Sequence, residues 1–540
     1  MSERTTSFEE SERVIVFDTT LRDGDQTPGV NFSVMDKVEI AHSLAVLGVD
    51  VIEAGFPIST EGDFEAVYTI AQTVEGPVIC ALSRTEDGDI EAAWSAIEPA
   101  KDRGGARIHT FIATSPTHMK EMGLNPEQVI AAAGAAVTKA REFTDDVEFS
   151  PEDASRSDFD FMMRVILKAV DNGATTINVP DTVGYAMPHE YAERLRAVKQ
   201  RIEQEFGAKA VILSAHCHDD LGFATANTIA AVVDGGARQV EVATGGIGER
   251  AGNADLAQIE ATFHQRYLNR FRTNINRSQI TKVSRKVLWL AGFHPLPNTP
   301  VYGINSFTHM AGIHQAKVLR DRETYEHMVA EEYGNESRIV IGKLSGKGGV
   351  ESHISNIAMQ TDRSTLIAVT KEAKRMADTM GRDVVDSDIE ALVAAETGEH
   401  IRDKFELNHI HVESDTGNDQ SWSKVRVEMT DFRVEEASGD RSINTAESDK
   451  GPVDAAILAI NTATGFDGTM QWDEGSASDI GSDAAAGVFV TVKQGETGIS
   501  VYAQAHTIDN AVIQAYLNGI NMIERICERQ HASEQNMDEI

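Results

Sequence analysis

Val211-Ile212-Leu213-Ser214-Ala215-His216 is an apolar, partly β-branched run that reads as a strand, and Cys217-His218 at its end adds a second histidine. Alternation along a strand sends His216 and His218 to one side and Cys217 to the other. Runs of the same texture recur upstream and downstream: Val14–Asp18, Asp50–Ala54, Val78–Leu82, Arg107–Ile112, Val147–Ser150, Thr176–Val179 and Gln239–Ala243. The segments between them carry helical spacing, as in Val38-Ile40-Ala41-Leu44-Leu47 and Met163-Ile166-Leu167-Val170. Eight such alternations, spaced by roughly 30 residues, predict an α/β fold of the (β/α)8 TIM-barrel type rather than an open doubly wound sheet. Polar residues gather just after the strands: Arg22-Asp23, Glu152, Asp181-Thr182, His216 and His218. A barrel builds its active site from strand carboxyl ends, so residues far apart in sequence can converge there.

The barrel accounts for about residues 1–270 of 540, leaving 271–404 as helical subdomains and 405–540 as a carboxyl-terminal α+β domain. The middle segment loses the strand rhythm, contains the stiff linker His294–Pro300, and carries a glycine-rich loop, Gly342–Gly349, without the spacing of a nucleotide-binding P-loop. Beyond residue 405, strands are expected at His409–Val412, Lys424–Val434, Gly487–Lys493 and Gly498–Gln504. Helices are expected at Pro452–Asn461 and from Asp509 to about Arg525, which makes a duplicated strand–strand–helix module.

Composition narrows the class. Apolar residues make up 41% of the chain, enough for a packed interior, and no apolar run approaches the ~18 residues of a membrane span. The start Met1-Ser2-Glu3-Arg4 lacks the layout of a signal peptide, and three scattered cysteines suit a reducing compartment, so a cytoplasmic protein is expected. A net charge of −36 disfavours nucleic acid and anionic membrane as partners.

Two imidazoles on one side of a strand end can share a cation. Asp23 follows the first strand, which neighbours the eighth in a closed barrel, and Asn253 follows the eighth. One carboxylate, two imidazoles and one amide would make a mixed site suited to Mn²⁺, Zn²⁺ or Mg²⁺. In isolation Asp23 reads as a solvated loop carboxylate and Asn253 as a turn residue; convergence is what favours ligation.

Phe17–Gln26, His216–Gly222 and Gly246–Asn253 together resemble the acyl-CoA-condensing 2-isopropylmalate, citramalate and homocitrate synthase family. Asp145–Asp153 (DDVEFSPED), Thr175–Tyr185 (TTINVPDTVGY) and Gly451–Ala455 (GPVDA) point within it to the 2-isopropylmalate synthase type. The resemblance implies an acyltransferase of leucine biosynthesis that condenses acetyl-CoA with 2-oxoisovalerate and hydrolyses the thioester. It also implies a homodimer and a carboxyl-terminal regulatory domain that binds leucine as feedback effector. The family's metal ligands fall on Asp23, His216, His218 and Asn253. Arg22 matches an arginine that steadies negative oxygen, Glu152 an acid/base carboxylate, and Thr182 a hydroxyl for the oxo-acid carboxylate. His109 matches a pocket-lining residue, His314 a catalytic histidine expected to reach the partner subunit's barrel, and Tyr325 a pocket tyrosine. Without the resemblance, Arg22 reads as a surface ion pair, Glu152 as a helix-start carboxylate, Thr182 as a turn hydroxyl and Tyr325 as a core ring.

Asp25 stands where the family more often has glutamate, and Thr299-Pro300 and Ala316-Lys317 replace its usual Lys-Ala and Asp-Gly. The rival readings are the same chemistry on pyruvate (citramalate synthase) or 2-oxoglutarate (homocitrate synthase), and a non-catalytic leucine-sensing protein. A biotin-dependent carboxyltransferase needs a lysine near the sixth strand, where this chain has Pro180-Asp181-Thr182.

Overall fold

A computed structural model describes residues 11–208, 210–415, 422–433, 440–473 and 486–538. Eight parallel strands close into a barrel: β1 (Ile15–Asp18), β2 (Val51–Gly55), β3 (Val78–Arg84), β4 (Ala106–Ala113), β5 (Val147–Glu152), β6 (Thr176–Asp181), β7 (Ile212–Cys217) and β8 (Gln239–Val242). Closure is direct, because β1 pairs with β2 on one side and with β8 on the other. Helices cover the outside, and β2, for example, is buried along its whole length. Local sequence sets the helix starts: Ser33 and Asp36 form a reciprocal capping box that opens the helix Val34–Leu47. Cys217 is buried in the apolar core, as its place opposite the histidines implies.

The barrel interior holds charge as well as apolar packing. Glu53, His109, Glu148 and Glu241 project from β2, β4, β5 and β8 and are buried. Arg107 Nη1 donates to Glu148 at 2.8 Å and to Gln239 at 2.7 Å, and Gln239 returns a hydrogen bond to Glu148 at 2.8 Å.

The chain divides into two units, Met1–Phe307 with His327–Ser337, and Thr308–Glu326 with Arg338–Ile540. The second unit has its own apolar core. Its helices Lys347–Asn356, Arg363–Met380 and Asp386–Thr397 precede two sheets. The glycine-rich loop packs tightly: a Cβ on Gly312 would lie 2.7 Å from the Gly346 nitrogen, and Ser345 Oγ accepts from Gly342 N at 3.0 Å.

The expected strand–strand–helix repeat needs correction, because each module has three strands. The first is β9 (Phe405–Asp415), β10 (Trp422–Asp431) and β11 (Asp440–Ser448) with the helix Pro452–Thr464. The second is β12 (Thr469–Asp473), β13 (Ala486–Gln494) and β14 (Thr497–Ala505) with the helix Ile508–Asp538. The unforeseen strands β11 and β12 are sheet edges. Asp440–Ser448 alternates exposed and half-buried residues with almost no large apolar side chain, so it carries little strand signal. Val434, expected to end a strand, lies outside the described residues. Among the described residues no helix is long and apolar enough to cross a membrane.

Candidate active site

The chain leaves β1 through a tight turn in which the Asp23 and Gly24 amides donate to the Thr19 carbonyl at 2.9 and 3.1 Å. Buried Asp18 fastens that turn to the loop after β8. It accepts from Thr20 N at 2.9 Å and from Thr244 Oγ1 at 2.8 Å, while Thr20 Oγ1 accepts from Thr244 N at 2.8 Å. The β8 loop folds back at Gly252, whose φ is +98° and whose Cβ would sit 2.0 Å from the Gly246 carbonyl oxygen. Residues 230 apart in sequence therefore touch: Asn253 Nδ2 donates to Asp23 Oδ1 at 2.8 Å.

β7 brings the histidines to the same place. The His216 and His218 rings lie 4.9 Å apart, centroid to centroid, at 77°. His218 Nε2 is 3.6 Å from Asp23 Oδ2, and His218 forms an isolated bridge with Asn253. Asp23, His216 and His218 each offer a ligand atom within 4.8 Å of the others. Asn253 spends its amide nitrogen on Asp23 and on the Ile247 carbonyl, which leaves Oδ1 buried without a hydrogen-bond partner. Nδ1 of His218 is likewise buried and unpartnered. Polar atoms this well buried are normally satisfied, so the cluster has the chemistry of a cation site.

Electrostatics agrees. Burial pushes both imidazoles down to about 4, and for His218 the neighbouring His216 adds to the effect, so both rings are neutral at pH 7 with lone pairs available. Burial opposes ionisation of Asp23, yet the Arg22 guanidinium and the two imidazoles hold its carboxyl well below the usual carboxylate range. Arg22 is clamped, with Nη1 on Asp23 at 2.5 Å and Nε on Glu53 at 2.6 Å. Glu53 also accepts from Thr19 Oγ1 at 2.6 Å and contacts His109 Nδ1 at 2.7 Å, and His109 Nε2 meets Ser150 Oγ at 2.7 Å. With both ring nitrogens engaged, His109 is a fixed wall of the site.

Above this floor lies a cavity of about 300 Å³ lined by Arg22, Asp23, His109, Glu152, Thr182, His216 and His218, with apolar walls from Phe56, Leu82, Phe111 and Pro180. Thr182 Oγ1 accepts from Asp153 N at 3.0 Å, which leaves its proton to donate. Glu152 is half-buried, and burial raises its carboxyl above the ordinary value. Eight of the ten expected site residues are thus gathered at one end of the barrel.

His314 and Tyr325 belong to the second unit, where their rings stack at 4.2 Å and 26°. Lys317 Nζ stands 5.5 Å from the Tyr325 ring centroid. Tyr325 is 40% exposed, so it is no core ring.

The sequence reading missed Glu53 and Glu241, which support Arg22 and His216, and the Glu249 amide, which donates to Asp23 Oδ1 at 3.1 Å. The signal was a carboxylate inside an otherwise apolar barrel strand, as in Val51-Ile52-Glu53-Ala54 and Gln239-Val240-Glu241-Val242. Asp25, the shorter carboxylate noted above, is ion-paired with Lys37 at 2.8 Å.

Family models for an HMGL-like domain, a homocitrate synthase post-HMGL domain-like region and a LeuA allosteric (dimerisation) domain match residues 13–287, 301–381 and 383–524. The chain is 40% identical to a 2-isopropylmalate synthase of Acidimicrobium ferrooxidans, over 96% of this chain and 97% of that one. It is 42% identical to the enzyme of that name from Thiobacillus denitrificans (96% and 99% covered) and 42% identical to that from Pyrococcus furiosus (95% and 99% covered). With the barrel, the clustered polar residues and full-length likeness in agreement, this chain belongs to the 2-isopropylmalate synthase family.

Proposed function

We propose that the chain condenses acetyl-CoA with 2-oxoisovalerate and hydrolyses the thioester, consuming one water and releasing CoA and 2-isopropylmalate, a committed step toward leucine. The convergence of Arg22, Asp23, His216, His218 and Asn253 on one cavity carries this reading. Asp23, His216, His218 and Asn253 would hold a divalent cation, Mn²⁺, Zn²⁺ or Mg²⁺. Such an ion, when bound, supplies Lewis-acid polarisation of a substrate ketone.

The chain's own groups do the rest. Thr182 donates its hydroxyl proton to the oxo-acid carboxylate, and Arg22 stabilises the negative oxygen that develops as the new carbon–carbon bond forms. Glu152 has the raised affinity for a proton that acid/base work needs. His314 and Tyr325 form the second group of candidates, and their stacking fixes the imidazole's orientation. The branched alkyl tail suits the walls made by Leu82, Phe111 and Phe56. A second substrate carboxylate would need a further cation. Arg250 lines the cavity, but it is committed to Asp220 at 2.7 Å and to the Thr182 carbonyl at 2.7 Å, which speaks against 2-oxoglutarate.

In this reading residues 1–270 are catalytic, 271–404 connect, and 405–540 form a leucine-binding regulatory domain in a cytoplasmic homodimer. Thiol release from acetyl-CoA, measured across a panel of 2-oxo acids with and without leucine, is the test. The highest kcat/KM on 2-oxoisovalerate, with inhibition by leucine, is expected; a preference for pyruvate or 2-oxoglutarate would contradict the substrate assignment.

A further inference from the structure

Glu241 is buried in the barrel, 1% exposed, and neither of its carboxylate oxygens accepts a hydrogen bond from the described residues. Among its neighbours, Glu148 meets it carboxyl to carboxyl. Glu148 is bonded to Arg107 and Gln239, and Glu53 to Thr19, Arg22 and His109. His216 Nδ1 lies 3.1 Å from Glu241 Oε2, and that nitrogen, like both Glu241 oxygens, is buried without a hydrogen bond among the described residues. A desolvated carboxylate left in this state costs stability, and a hydrophobic core would ordinarily replace it.

We infer that Glu241 is a positioning residue: its Oε2 accepts a hydrogen bond from Nδ1–H of His216, fixing the tautomer and ring orientation that turn a bare Nε2 toward the cation. Neutral imidazole carries one proton, and a ligating ring directs its other nitrogen to a carboxylate or carbonyl that holds it in place. Arg22 and Glu53 stand in the same relation to Asp23: Arg22 fixes the carboxylate by a direct ion pair and is fixed in turn by Glu53. Glu241 would do this for the imidazole ligand of the adjacent strand, since the β7–β8 register sets His216 directly beside Glu241. A second cation between His109, Glu148 and Glu241 is a weaker use of the same carboxylate, because both nitrogens of His109 are already engaged.

The inference rests on the metal reading of the site, and its test separates the two. Full-length wild type, Glu241→Gln, Glu241→Leu and His216→Ala are titrated with Mn²⁺ by calorimetry, and thermal midpoints are recorded with and without the ion. The Co²⁺-loaded proteins add a visible absorption spectrum that reports ligand geometry. Both Glu241 variants are expected to weaken Mn²⁺ binding by roughly 10- to 100-fold and to change the Co²⁺ spectrum. Their metal-free thermal midpoints report what losing the contact costs the fold, separately from metal affinity. A merely structural Glu241 would leave Mn²⁺ affinity and the Co²⁺ spectrum unchanged, whatever the metal-free midpoint, and that result overturns the inference. Wild type that binds no Mn²⁺ and no Co²⁺ overturns the cation site, and the role of Glu241 with it.

Discussion

Gly248 lies outside the expected ligand set, yet replacing it with alanine should disable the site. Its missing side chain makes room for Asn253 and Asp23: a Cβ there would sit 2.0 Å from Asn253 Nδ2 and 2.7 Å from Asp23 Oδ1. The backbone of Gly248 is not in the left-handed region, so the obstacle is steric contact alone. To restore ordinary contact the Asn253 amide must retreat by more than about 1 Å, and a misplacement of that size costs on the order of 100-fold in rate. The retreat also breaks the 2.8 Å hydrogen bond that ties Asn253 to Asp23. Gly248→Ala is therefore expected to lower Mn²⁺ affinity and to reduce turnover by roughly 100-fold or more, while circular dichroism shows the barrel intact. The matched control is Gly88→Ala in the helix Asp87–Ile97, where the added Cβ meets nothing within 4 Å and both activity and metal binding should stay at wild-type levels. Calorimetry and a thiol-release assay on the two variants give the answer. Wild-type affinity and turnover in Gly248→Ala would refute the placement of Asp23 and Asn253 argued above.

Other outcomes follow from the same geometry. Arg22→Lys cannot span Asp23 and Glu53 with a single ammonium, so kcat should fall by roughly 100- to 1,000-fold while Mn²⁺ still binds; an unchanged kcat would exclude Arg22 from catalysis. His314→Ala should lower kcat by roughly 100-fold or more with Mn²⁺ affinity unaltered, and a parallel loss of metal would contradict its assignment to acid/base work. In the second unit, His353 Nδ1 is paired with buried Asp386, and Nε2 meets the Ile339 carbonyl at 2.7 Å. Burial alone would lower the His353 pKa, but Asp386 and that carbonyl outweigh it, so the folded value lies above the ordinary 6.5. The stabilisation is thus complete below about pH 6.5 and is lost as pH rises through the folded value. His353→Ala should cost about 3–5 kcal/mol in urea unfolding at pH 6 and should flatten that alkaline decline; an identical pH slope in the variant would refute the pairing.

The barrel was legible because parallel strands buried on both faces are written as near-continuous apolar runs, and eight of them can be picked out without reference to contacts. The chemistry was legible where polar residues interrupt a strand end, as with Arg22-Asp23 and His216–His218. Glu53, Glu148 and Glu241 were not legible, because a lone carboxylate in an apolar run does not say that its side chain points into the barrel rather than out. Strand β11 was missed for a related reason: Asp440–Ser448 sits at a sheet edge and needs backbone pairing more than apolar side chains. The last helix runs to Asp538, past the expected end near Arg525, since helix-forming residues extend it beyond the last strongly apolar position. Asn253 reached the site through its loop, and the hydrogen bonds of Asp18 and Thr244, with the fold-back at Gly252, explain how that loop comes to face Asp23.

The central claim is that Asp23, His216, His218 and Asn253 hold one divalent cation at the mouth of the barrel. An anomalous difference map from crystals of the full chain grown with Mn²⁺ tests it most directly. The account predicts a peak within about 2.0–2.3 Å of a carboxylate oxygen of Asp23, an imidazole nitrogen of each histidine and Oδ1 of Asn253. A map with no peak among these four residues, in crystals that hold Mn²⁺ elsewhere or not at all, would contradict it.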